Sequence, residues 1–253
     1  MGRVKQGRRQ GQGESHLREE QSQVISPIAI STVHGKNLAV MLASIREYCP
    51  EIPVYLRGPA SVLDRFDADV KMVGTPRNFG EDYNDIINCA LKDFDSVVVA
   101  NDDIVLTPSS YRVLLDDVEI VKDMGLNPGW MASRCDWARP VQNIRWNPEG
   151  EAFDMCRFTS ESKIRQVDVI SPIFAWICAD AFAKCPFPPL NWFSDDVQCH
   201  DLKALGYENF VSASYVHHVG SQTVGVNAES LTNQAMPWLM KHRPQYVKQW
   251  FNS

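Results

Sequence analysis

The 253 residues carry a formal net charge of −6 and are 44% hydrophobic, enough apolar material for a sizeable core and too acidic a balance for a protein that coats nucleic acid. No stretch approaches the ~18 consecutive apolar residues of a membrane-spanning helix. The seven cysteines include no Cys-x-x-Cys pair, so they outline neither a zinc site nor a disulfide framework and suit a reducing, cytoplasmic setting.

In chain order, residues 1–23 (MGRVKQGRRQGQGESHLREEQSQ) hold glycine, glutamine and charge with almost nothing to bury. They read as a disordered leader, and not as a signal peptide, because no apolar run follows the charges. Arg3, Lys5, Arg8 and Arg9 would give it a weak attraction for a phosphate polymer. Residues 24–30 read as a first buried strand, and 31–35 (STVHG) as the loop after it. From Leu38 to Tyr48 apolar residues recur at 38, 41, 42 and 45, which is helical spacing. Residues 53–56 form a second short strand and 70–73 a third. A second helix runs from Tyr83 to Leu91, and residues 96–100 form another buried strand. Strands alternating with helices at these lengths predict an α/β fold with a parallel sheet covered by helices on both faces. Ligands of such sheets bind beyond the carboxyl ends of the strands.

At that edge the stretch 97–108, VVVANDDIVLTP, runs an apolar strand into Asn101, Asp102 and Asp103. Two carboxylates and a carboxamide make a hard oxygen cluster suited to Mg²⁺ or Mn²⁺ completed by substrate phosphates. The plainer reading is a turn in which Asn and Asp bond their own backbone.

The wider pattern resembles the family-2-type glycosyltransferases of the GT-A fold. Asn78, Gly80, Asn84 or Asn88, and Ala90 match that family's Asn-x-Gly segment and the helix after it; Asn101-x-Asp103 with Pro108 matches its Asp-x-Asp region. The resemblance implies a single α/β domain, GT-A type and Rossmann-like, with a mostly parallel central sheet flanked by helices. It would span residues 24–225, with a nucleotide-sugar half (24–120), an acceptor half (121–225) and a C-terminal helical extension (226–253). It implies Asp103 as principal metal ligand, helped by Asn101 or Asp102. The donor, a nucleotide-diphosphate sugar with UDP favoured, would meet Thr32, Asn78, Gly80, Asn84, Asn101 and Asp102.

A second block, 187–197 (FPPLNWFSDDV) with Gly206 and Tyr207 beyond it, resembles the family's acceptor half. There Trp192 and Phe193 would bind the acceptor. The second acid of the pair, Asp196, would be the catalytic base, with Asp195 the alternative because the helix is shorter than the family's. An inverting transfer needs such a carboxylate to take the proton of the attacking hydroxyl. An ordinary acidic N-cap explains one aspartate but not both. A third block, 211–223, ends a strand on His217 and His218, which point to opposite faces if the strand is regular. The resemblance favours His218 as the imidazole that completes the metal shell. The acceptor would be a glycan or a hydroxymethylated DNA base. A nucleotidyltransferase and a non-catalytic nucleotide-sugar-binding module are the rival readings. The aromatic tail 236–251 reads as a helix pair broken at Pro244 and packed on the sheet, or as a cationic lid over the diphosphate.

Overall fold

The computed structural model describes residues 25–144, 164–219 and 228–251. The leader 1–23 and the glycine-serine loop after His218 lie outside the described residues.

Four parallel strands open the sheet: β1 (Ile28–Ser31), β2 (Val54–Gly58), β3 (Val70–Val73) and β4 (Ser96–Ala100). Helices α1 (Leu38–Tyr48), the short α2 (Ala60–Leu63) and α3 (Phe79–Ala90) connect them. All of β2 and β4 is buried, the mark of strands covered on both faces. Side-chain alternation sorts the core into two layers. Val98 and Ala100 meet Leu38, Met41 and Ile45 of α1, whereas Val97 and Val99 meet Tyr83, Ile86 and Ile87 of α3.

The second half departs from a purely parallel sheet. It comprises β5 (Ile104–Leu106), α4 (Ser110–Asp123), β6 (Pro128–Arg134), β7 (Arg165–Val167), β8 (Phe174–Cys178), α5 (Ala179–Lys184), α6 (Ser194–Ala204) and β9 (Glu208–His218). The sheet order is β3-β2-β1-β4-β8-β6-β9-β5, with β7 on β9. Strand β8 runs antiparallel between β4 and β6, and β5 and β7 run antiparallel to β9. This reversal sets the start of β8 beside the end of β4, with Phe174 opposite Ala100. The loops after β1, β4 and β6 and the segment before β8 thus gather at one edge.

The first strand, expected at residues 24–30, is confined to Ile28–Ser31, and two other boundaries move for physical reasons. Strand β2 runs on through Arg57, which is buried because Asp82 pairs with it at 2.9 Å. Helix α3 begins at Phe79, not Tyr83, because Asn78 caps it: its side chain accepts from Glu81 N at 2.9 Å.

The tail forms α7 (Ala228–His242) and α8 (Pro244–Phe251), divided at Pro244 as expected. It does not pack on the sheet. Leu239, Ala235 and Tyr246 form a separate cluster with Leu190 and Val197, so the pair rests on α6. Arg243, one of the cations of this tail, is committed to Asp201, with Nη2 to Oδ2 at 2.7 Å.

Candidate active site

The corner between β4 and β5 is held from several directions. Asn101 N donates to Ile173 O at 2.9 Å, and Tyr83 Oη donates to Ala100 O at 2.9 Å. Asp102 turns back toward β1, where Thr32 Oγ1 donates to its Oδ2 and in turn accepts from Gly35 N at 3.0 Å. Burial raises the Asp102 pKa, and the neighbouring Asp103 adds to that rise while Thr32 opposes it.

Asp103 is buried and turns the other way, toward β9. The β5–β9 register sets Ile104 opposite His218, so Asp103 Oδ1 lies 3.2 Å from His218 Nε2. The other ring nitrogen, Nδ1, meets the Trp137 carbonyl. A carbonyl only accepts, so Nδ1 carries a proton and Nε2 is the nitrogen aimed at Asp103. Burial disfavours the charged imidazole, but the bonds to Asp103 and Trp137 outweigh it and the pKa is raised. His217, the next residue, faces away: it is half-exposed and pairs with Asp136. Strand alternation therefore brings His218 to Asp103 and leaves His217 out.

The acidic pair opens α6 as expected. Its main partner was not legible in the sequence. Arg139, on the loop after β6, donates from Nη2 to Asp195 Oδ2 at 3.1 Å and to Asp196 Oδ2 at 2.6 Å. Asp195 has two further donors, Ser171 Oγ at 3.0 Å and Asp196 N at 3.1 Å. The Asp196 pKa is pushed up to about 6, chiefly by burial and then by repulsion from Asp195, with Arg139 pulling it down. Nothing local marked Arg139: it stands in no recognisable motif and lies 56 residues from Asp195.

Three residues expected on the donor have protein partners. Asn78 caps α3. Asn84 binds the Phe187 backbone twice, Nδ2 to O at 2.8 Å and N to Oδ1 at 3.0 Å. Gly80 permits close approach, since a Cβ there would sit 1.8 Å from Pro188 O. Asn84 and Gly80, with Phe79 N donating to Asn191 Oδ1 at 3.0 Å, hang the 187–194 segment from α3, and that segment delivers Asp195 and Asp196. Phe193, expected on the acceptor, is covered by α8, with its ring stacked on Trp250 at 5.7 Å. It adopts φ 64° at the N-cap of α6, a left-handed conformation that costs a non-glycine residue about 1 kcal/mol or more. Trp192 stands edge-on to it and stays half-exposed beside the acidic pair.

No protein-family model matches the chain, and no curated protein sequence does. Solved structures do. A197 from STIV aligns over 78% of this chain and 87% of its own, with a TM-score of 0.50 at 12% identity. S. aureus TarS in complex with UDP-GlcNAc aligns over 83% of this chain, with a TM-score of 0.54 at 10% identity. The fold is GT-A. This chain spans 64% of that TarS structure and 37% of a longer one. In this GT-A fold the corner after β4 and the start of α6 share the edge at which strand-end ligands bind.

Among the described residues no group of three or more His, Cys, Asp and Glu side chains is arranged to hold a metal ion. Asp103 and His218 are nonetheless a fit for one whose remaining ligands are phosphate oxygens and water. They are a carboxylate and an imidazole with Nε2 turned inward, and the Trp137 carbonyl fixes the ring from behind.

Proposed function

We propose that this protein is an inverting, metal-dependent glycosyltransferase that moves a sugar from a nucleotide-diphosphate sugar, a UDP-sugar in the favoured case, to an acceptor hydroxyl. The acceptor is a glycan or a hydroxymethylated DNA base. One observation carries the reading: a single loop touches both halves of the chemistry. Trp137 holds His218, and Arg139, two residues on, holds Asp195 and Asp196. Two residues of extended chain span about 7 Å at most, so one short stretch of backbone serves both acidic sites. A metal-and-diphosphate site beside a carboxylate pair is what a single displacement at an anomeric carbon requires. The likeness to TarS, solved with UDP-GlcNAc, supports the choice of donor.

Asp103 and His218 would hold Mn²⁺ or Mg²⁺. When bound, the ion neutralises the charge that develops on the leaving diphosphate. Thr32 and Asp102 line the donor side of the corner, with Asn101 beside them. Asp196 takes the proton of the acceptor hydroxyl as its oxygen attacks. Asp195 suits that task less well, because three donors already occupy it. Trp192 offers the acceptor an aromatic face, so Trp192→Ala raises the acceptor KM more than the donor KM in steady-state kinetics.

The deciding test is thermal melting with UDP, with and without Mn²⁺. At a hundred-fold excess over Kd the pair should stabilise the wild type by about 2.7 kcal/mol. Asp103→Asn and His218→Ala should each weaken that effect ~10-fold or more in apparent affinity, since each removes a ligand or its orientation. A wild type indifferent to UDP and Mn²⁺ together would overturn the reading. Variants that respond like wild type would reduce Asn101–Asp103 to a turn.

A further inference from the structure

Two adjacent carboxylates, each mostly buried, oppose one another's ionisation unless a cation lies between them. The groups facing the pair are few among the described residues. Cys199, one turn further along α6, is buried and held as a thiol by that burial. His200 has its pKa lowered, first by burial, and so carries little positive charge at neutral pH. Arg243, from the segment between α7 and α8, is committed to Asp201. That leaves Arg139.

The backbone that carries it is closed by the loop's own hydrogen bonds. Cys135 N donates to Gln142 O at 3.0 Å and Ile144 N to Cys135 O at 2.9 Å, closing residues 135–144 into one turn. Gln142 is wholly buried and clasps Ser171, Nε2 to O at 2.9 Å and N to Oε1 at 2.7 Å. Ser171 Oγ then donates to Asp195, so loop and carboxylate pair share an anchor. The Nε of Arg139 is buried with no hydrogen-bond partner among the described residues. The guanidinium is therefore held at some cost in unmade bonds, with its Nη2 edge given to both aspartates.

We propose that Arg139 is a positioning residue for the general base: delivered by a hydrogen-bonded loop, its guanidinium keeps the Asp195–Asp196 pair ionised and fixes which oxygen faces the acceptor. This rests on the transferase reading above. A salt bridge on a base lowers its basicity, yet here the alternative is a protonated carboxyl that accepts nothing. Arg139 thus trades some basicity for a carboxylate that is charged at neutral pH. Lysine would supply the charge but not a planar guanidinium that sets one nitrogen, Nη2, between the two carboxylates.

The test follows the carboxyls directly. Protein labelled with ¹³C at the aspartate carboxyls is titrated by NMR, with Asp196→Asn assigning the signal. In Arg139→Met the apparent pKa of the pair should rise by ~1–3 units, and in Arg139→Lys by less. If Arg139→Met does not fold, Arg139→Gln serves the same purpose. The acid limb of UDP release from UDP-GlcNAc should move with the titration, while the melting shift given by UDP and Mn²⁺ stays at its wild-type size. A pair that titrates in the neutral variants as it does in the wild type overturns the proposal. The transferase reading fails on a different result, the absence of any UDP and Mn²⁺ shift in the wild type, and the carboxyl titration still decides whether Arg139 governs the pair.

Discussion

Asp196→Asn is expected to abolish transfer while UDP and Mn²⁺ still stabilise the protein as they do the wild type. The carboxamide keeps the shape and removes the acceptor of the proton, a contribution of typically ~10²–10⁴ in rate. Donor binding belongs to the other acidic site, at Asp103 and His218, and has no reason to change. The wild-type pH profile should carry the same signature. With Asp196 pushed up to about 6, the base is ionised above that value and transfer is lost as the pH falls through it. The value belongs to the coupled pair and not to one oxygen. Asp195→Asn is the control: it still leaves Asp196 paired to Arg139 and should retain more activity. Single-turnover transfer with all three proteins decides the matter, and a dead Asp195→Asn beside an active Asp196→Asn would move the base by one residue.

Gly80→Ala is expected to lower the melting temperature and to cripple turnover with it. The new methyl would lie 1.8 Å from Pro188 O, a backbone atom that cannot rotate away. That oxygen is also held by Ser194 Oγ at 2.8 Å and by Leu190 N at 2.7 Å, and Gly80 N itself donates to Leu190 O at 3.1 Å. Relief requires α3 and the 187–194 segment to part. Overpacking of this kind costs ~1–3 kcal/mol and occasionally more. For a chain of this size each kcal/mol is roughly 2–4 °C of melting temperature. Because the same segment leads into α6, the aspartates should shift with it. Calorimetric melting beside a donor-binding measurement separates the two effects. A variant that melts within a degree of wild type would mean that the segment yields easily and does not fix the base.

The same glycine illustrates how a residue that stands out in the sequence carries a structural job that the sequence does not announce. Gly80, Asn78 and Asn84 stand out in the chain, and the resemblance assigns them to the donor. Their polar and backbone groups go to Glu81, Leu190 and Phe187. Phe193 is similar: its aromatic neighbour and the acids after it suggest an acceptor platform, yet Trp250, far along the chain, lies on its ring.

What the sequence determined by itself was local. Hydrophobic runs with the period of a strand or a helix set α1, β3 and β4 within the chain, and the acids at the end of β4 and the start of α6 could be read as strand-end and helix-start groups. These follow from residue type and neighbours a few positions away. The pairs that make a site were decided only by the tertiary structure. Asp103 meets His218 because β5 pairs antiparallel with β9 in one particular register, and a slip of one residue would have presented His217 instead. Arg139 meets Asp195 and Asp196 because β6 lies beside β8 and β9, which puts the loop after it over the start of α6. Arg57 sits inside the sheet because Asp82 and Asp85, both on α3, reach it. Each of these contacts joins residues 25 to 115 positions apart, and strand order, which no local periodicity encodes, brings them together.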